Sequence, residues 1–291
     1  MTFPRPVRRA LMIITVTAGL AAVAVLPVVN PPAEAVQPAA TTRARAVVDP
    51  ANTEMGWKNK QHQRESPQLG ALQYTPTGVL GIDVASYQGT VNWQRWVARG
   101  RSFAYIKATQ GTSYRNPYFG AQYGGAYEAG MIRGAYHFAN PAGRSGTAQA
   151  RYFVAHGGGW TADGRTLPGV LDIEYNPSGS TCYGMSKKKM IAWITAFTTE
   201  YKRLTTRDAV IYTTADWWNR CTGNTTKFTL TNPLWAARYG TKTAGTLPGA
   251  WTTATFWQYT SSPLDQDRFS TTPDRLVVLA TGIEPAEAKK N

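Results

Sequence analysis

The segment Gly169–Pro177, GVLDIEYNP, places two carboxylates one residue apart inside an apolar run: Asp172 and Glu174. In an extended strand side chains alternate, so Val170, Asp172 and Glu174 share one face while Leu171, Ile173 and Tyr175 share the other. Two acids at i and i+2 have Cα atoms roughly 6–7 Å apart on that face. Such proximity drives their pKa values apart, so that one stays protonated while its neighbour is charged. Cleavage of a glycosidic bond needs that combination, a proton donor for the leaving oxygen and an anion facing the oxocarbenium-like centre. The competing reading is a strand end whose acids meet only water or a lysine.

Three more acids are candidates by position: Asp83 in GIDVASYQG, then Asp265 and Asp267 in LDQDRF. Asp83, the Asp172/Glu174 pair and Asp265 fall at or just beyond predicted strand ends, where barrel enzymes build active sites. The strands expected are 80–85, 103–109, 132–139, 169–175, 209–214, 234–239 and 255–260. Helices are expected over 93–99, 117–129, 145–156 and 186–204. The last begins at a serine cap and carries Met190, Ile194, Phe197, Tyr201 and Leu204 at 4-3-4-3 spacing. Beyond about residue 205 the pattern predicts strands with few helices. Alternating β and α elements predict an α/β fold with a parallel sheet, and the strand number fits closure into a barrel.

The chain has 291 residues, 43% hydrophobic and 16% charged, the composition of a globular protein with a core. Residues 1–35 have the pattern of an export signal, with Arg5, Arg8 and Arg9 before an apolar run and Ala33-Glu34-Ala35 as a small-residue cleavage site. The run is also long enough to serve as an uncleaved anchor, the one route to a membrane. Residues 36–78 lack periodicity and are expected to be a linker or pro-segment, with a short docking element over 55–63. The barrel is expected over 79–282 and a tail over 283–291. Cys182 and Cys221, an even count in an exported chain, predict one disulfide. The net charge is +14; without the first 35 residues it is +12, from 28 basic against 16 acidic side chains. That surface favours anionic polymers, but no nucleic-acid-binding fingerprint accompanies it. No serine-hydrolase elbow, phosphate loop or zinc-binding helix is present, so neither cofactor nor metal is expected.

From residue 79 to about 282 the sequence resembles the family 25 glycoside hydrolases, the N-acetylmuramidase type of lysozyme. The segments GIDVASYQGTVNW, FAYIKATQGTSYRNPYF, GAYHFA, GVLDIEYNP, the CYG–CTG cysteine pair, VIYTTADWW, LWAARYG and FWQY occur in family order. The resemblance implies an irregular TIM-like barrel of five β/α units followed by three β strands. It implies hydrolysis of the β-1,4 bond between N-acetylmuramic acid and N-acetylglucosamine in peptidoglycan, by a secreted, wall-associated monomer. Glu174 then matches the general acid, Asp172 and Asp83 the acids beside it, and Asp265 the acid near the last strand. Asp265 and Asp267 remain alternatives, because the SSPLD loop is shorter than the family's. Two further departures are Ala85-Ser86, where Ser-His is frequent, and Gln110, where Glu is frequent. Candidate substrate contacts are Tyr136, His137, Lys107, Trp235, Tyr239 and Gln258, and Trp217, Trp218 and Trp257 are further aromatic candidates. For His137 and each tryptophan a packed core position is the competing reading. Two other functions are open: a non-catalytic wall-glycan-binding module, and hydrolysis of a related aminosugar polymer such as chitin.

Overall fold

The computed structural model describes residues 49–65 and 75–283. The predicted export signal, parts of the predicted linker and most of the predicted tail lie outside the described residues. The barrel strands are β1 (Val79–Val84), β2 (Arg101–Gln110), β4 (Ile132–Phe138), β5 (Val170–Asp172), β6 (Val210–Thr213), β7 (Leu234–Ala237), β8 (Phe256–Thr260) and β9 (Gln266–Phe269). A two-residue strand, β3 (Tyr114–Arg115), pairs antiparallel with the end of β2. The order β1-β9-β8-β7-β6-β5-β4-β2 closes through a parallel β1–β2 pairing, and β9 alone runs antiparallel to both its barrel neighbours.

Helices are α1 (Trp57–Glu65), α2 (Trp93–Val97), α3 (Phe119–Glu128), α4 (Gly146–Phe153), α5 (Lys187–Thr205), α6 (Ala215–Thr222) and α7 (Pro273–Thr281). Helices α2 to α6 each follow one of the first five barrel strands, and β7, β8 and β9 complete the wall, giving the five-plus-three arrangement. Local signals set the boundaries. Asn92, Ser145, Ser186 and Thr214 cap α2, α4, α5 and α6 by accepting from backbone N–H groups of the first turn. After residue 205 the described helices are few, as the pattern predicts: α6 and α7 are short, and none lies between β7, β8 and β9. Helix α6 is only 8 residues long and continues directly from a strand sequence, and α7 starts on a Thr-Pro-Asp signal with Pro273 in its first turn.

Pleat alternation sorts the strand side chains into two cores. Phe103, Tyr105, Val170, Tyr212, Trp235, Phe256 and Phe269 fill the barrel interior. Tyr105 lies 4.9 Å from Trp235 and 5.5 Å from Phe256, edge-on to the latter. Gly134 makes room for this stack, since a Cβ there would meet Tyr105 Cδ1 at 2.7 Å. Outside, Leu171, Ile173, Ile211 and Leu234 pack under α4 and α5, against Phe153, Met190, Ile194, Phe197 and Tyr201. Each such buried apolar side chain contributes about 1.5–3 kcal/mol. Leu204, the last residue of the predicted stripe, is exposed instead.

Cys182, in the loop after β5, is bonded to Cys221 on α6, with Cα atoms 5.3 Å apart and a sequence separation of 39. Trp217 Nε1 donates to Thr181 O at 3.2 Å, tying the same helix to the same loop. Replacing both cysteines by serine is expected to lower unfolding free energy by about 4 kcal/mol, the loop-closure value in the chain-entropy model. Urea unfolding of the two chains under non-reducing conditions checks it.

Candidate active site

At the C-terminal ends of the parallel strands the barrel interior changes from aromatic to acidic. Asp83 ends β1 facing inward, Asp172 ends β5, and Glu174 follows two residues on. The strand predicted over 169–175 is shorter, because the chain leaves the sheet after Ile173 N donates to Tyr212 O. The two carboxyls are still close enough that each shifts the other's titration. Strand β9 enters from the mouth, being antiparallel, so Asp265 sits level with Asp83, whose N–H donates to Asp265 O at 3.3 Å. Asp267 lies one layer deeper, opposite Gly81 and Gln258. All five acids are at most 2% exposed.

Gln258 links the cluster. Its Nε2 donates to Asp83 Oδ2 at 2.7 Å, and its Oε1 accepts from the Tyr212 and Tyr239 hydroxyls, each at 2.6 Å. Lys107 projects inward from β2, with Nζ donating to Gln110 Oε1 at 2.6 Å. Tyr136 is fully buried beside Asp83 and Asp172. Of the predicted contacts, Tyr136, Lys107, Tyr239 and Gln258 therefore converge on the acids. His137 and Trp235 do not. His137 is one residue out of phase with Tyr136, so it points to the helix layer, stacks on Phe197 at 5.4 Å and bonds Thr109 and Gln149. Trp235 is enclosed below the acids between Tyr105, Tyr212 and Phe256. Trp217, Trp218 and Trp257 are also packed, each with its indole N–H on a backbone carbonyl.

Residues 50–60, expected to belong to a linker or pro-segment, cross this mouth. Lys60 Nζ lies 2.6 Å from Asp265 Oδ2 and 2.7 Å from Glu54 Oε2. Gly56 N donates to Glu174 Oε1 at 2.7 Å. Together with Tyr212, these contacts were missed from the sequence. Gly56 and Glu174, and likewise Lys60 and Asp265, are more than 100 residues apart in the chain, and no periodic pattern marks the segment.

Burial dominates the electrostatics. Asp83, Asp172, Asp265 and Asp267 are all held well above the ordinary carboxyl range by desolvation, reinforced by one another's charge. Desolvation likewise raises Glu174 to about 8, against the opposing pull of the Gly56 N–H and Lys60. Lys107 is lowered to about 7 by burial, which the nearby Asp172 charge only partly offsets. Burial would also lower Lys60, but Asp265, Glu54 and Asp83 outweigh it and hold that ammonium above its usual value. The site can thus keep one carboxyl protonated near neutrality beside a second, which is proton-donor chemistry. Among the described residues no group of three or more His, Cys, Asp or Glu side chains could hold a metal ion.

Residues 82–267 match the model of the glycosyl hydrolases family 25. The sequence is 52% identical over 212 residues to lysozyme M1 of Streptomyces globisporus, covering 70% of this chain and 72% of that one. It is 49% identical over 183 residues to an N,O-diacetylmuramidase of Chalaropsis, covering 62% and 87%. The structure superposes on the bacterial lysozyme of Streptomyces coelicolor with a TM-score of 0.70 and 50% identity, covering 72% of this chain and 99% of that one.

A carboxyl raised by folding keeps its proton where the unfolded chain has lost it. The resulting stability is full below the ordinary carboxyl pKa and is lost as pH rises toward the raised value. For Glu174 this window runs from about 4.5 to about 8. Glu174→Gln removes that group's titration, so the stability lost between pH 5 and pH 8 is expected to shrink by about 1–3 kcal/mol. Denaturant unfolding of both chains at the two pH values measures it.

Proposed function

The chain belongs to glycosyl hydrolase family 25, and from that premise we propose that it is a secreted muramidase. Its reaction is hydrolysis of the β-1,4 bond between N-acetylmuramic acid and N-acetylglucosamine in peptidoglycan. The observation that carries this reading is the buried Asp172–Glu174 pair at the barrel mouth, with Glu174 raised to about 8. The muramidase names of relatives near 50% identity support the substrate. The basic start and apolar run of residues 1–35, together with the Cys182–Cys221 bond, support secretion. Residues 1–35 then act as the export signal and 79–282 as the catalytic barrel.

In this mechanism Glu174 donates its proton to the glycosidic oxygen as the bond to the anomeric carbon breaks. Asp172, beside it, faces the developing positive charge or holds the substrate's acetamido group. Asp83 is fixed at the mouth by Gln258. Asp265 serves as the fourth acid at the mouth, level with Asp83, while Asp267 is one layer too deep to meet a sugar ring. Tyr136, Lys107, Tyr239 and Gln258 line the substrate. The excess of basic residues draws the enzyme to anionic wall polymers.

Glu174→Gln is expected to reduce fragment release from purified walls by about 10²–10⁴-fold while leaving wall binding intact. Mass spectrometry should find muramic acid at the new reducing ends. Glucosamine there, as from a chitinase-like cut, would overturn the substrate assignment. The rate should also fall as ionic strength rises from ~0.01 to ~0.15 M; a flat salt response removes the electrostatic contribution.

A further inference from the structure

The segment 50–60 makes its polar contacts with the side chains that a substrate would use. Thr53 N donates to Gln110 Oε1 at 2.8 Å, and Lys107 Nζ donates to Thr53 O at 2.5 Å. Asn52 Nδ2 donates to Ser86 Oγ at 2.7 Å, and the Tyr87 hydroxyl donates to Asn52 O. Met55 is fully buried and packs with Tyr136 and Tyr212, and its N–H faces the Tyr136 hydroxyl at 3.4 Å. Trp57 Nε1 donates to Tyr175 O at 3.1 Å, just past Glu174.

Gly56 is the deepest point. Its φ of +71° favours glycine, and a Cβ there would lie 2.6 Å from Gln258 Oε1 and 2.9 Å from the Tyr212 hydroxyl. The backbone is therefore inserted as far as its bulk permits, with its N–H on the proton donor's own carboxyl. Four residues later Lys60 completes the fit by pairing with Asp265. A glycan strand cannot occupy this cleft while the segment is in it, since both need Glu174, Asp265, Tyr136 and Lys107.

We propose that residues 50–60 are an autoinhibitory pro-segment that occupies the substrate cleft by backbone insertion at Gly56 and ion pairing through Lys60, and that the enzyme acts once this segment is cut away or displaced. The proposal rests on the muramidase reading of the same cleft and adds its regulation. It uses residues outside the catalytic set, so the segment can be perturbed without touching the acids.

The test uses three full-length chains: the unsubstituted one, Gly56→Val, which cannot seat the loop, and Lys60→Met, which removes the ion pair without adding bulk. Circular dichroism confirms that each is folded. Each is assayed for fragment release from purified walls and for wall binding by co-sedimentation, at constant ionic strength. Both variants should release fragments at least 10-fold faster and bind walls more tightly. A synthetic peptide of residues 49–65, added to Gly56→Val, should restore the slow rate. Equal rates and equal binding in the three chains would overturn autoinhibition while leaving the muramidase reading standing. If no chain releases fragments, the muramidase reading falls, and binding alone then decides whether the segment occludes the cleft: tighter binding by the variants upholds it, and equal binding overturns it.

Discussion

Five carboxyl groups buried at one end of a barrel are expensive to keep charged, and the surrounding structure answers that constraint. An isolated ion taken out of water costs several kcal/mol even after relaxation. Asp83, Asp172, Glu174, Asp265 and Asp267 share a small volume with two ammonium groups, Lys60 and Lys107. The cluster lowers its charge by retaining protons and offsets the rest by pairing Asp265 with Lys60, while the Gln258 amide stands in for water at Asp83. Retained protons are also what a general acid requires, so the same desolvation that costs stability sets up the donor.

The remaining architecture holds this cluster in place. The aromatic interior of Tyr105, Trp235, Phe256 and Phe269 fills the space below, keeping water out from that side. The loop carrying Glu174 is fixed at three points: Ile173 N on Tyr212 O, the Tyr175 hydroxyl on Asp216, and the Cys182–Cys221 bond to α6. From the solvent side the cover is residues 50–60. They meet Glu174 directly through the Gly56 N–H, which with Lys60 opposes the rise in pKa that burial imposes.

Much of the site was legible in the sequence because it follows the pleat. Asp83, Lys107, Tyr136, Asp172 and Gln258 each lie in phase with inward-facing neighbours on their strands, and strand ends mark the mouth. The same parity separates His137 from Tyr136, although a histidine beside an active-site tyrosine attracts attention by type alone. Trp235 was ambiguous for another reason: it does face inward, and only its depth relative to Asp172, set by strand register, makes it core. Helices α6 and α7 were not singled out because each is only eight or nine residues long, too few turns for a hydrophobic period to show. The role of residues 50–60 was the least legible part. Its key contacts, Gly56 to Glu174 and Lys60 to Asp265, join distant parts of the chain without hydrophobic periodicity.

The central claim is that Glu174 keeps its proton near neutrality because it is enclosed. Carboxyl-carbon NMR titration of glutamate-labelled protein, with Glu174→Gln used to assign the signal, measures this directly. The account predicts that the Glu174 resonance titrates near pH 8 in the intact chain. A Glu174 resonance that titrates in the ordinary carboxyl range in the intact chain would contradict it.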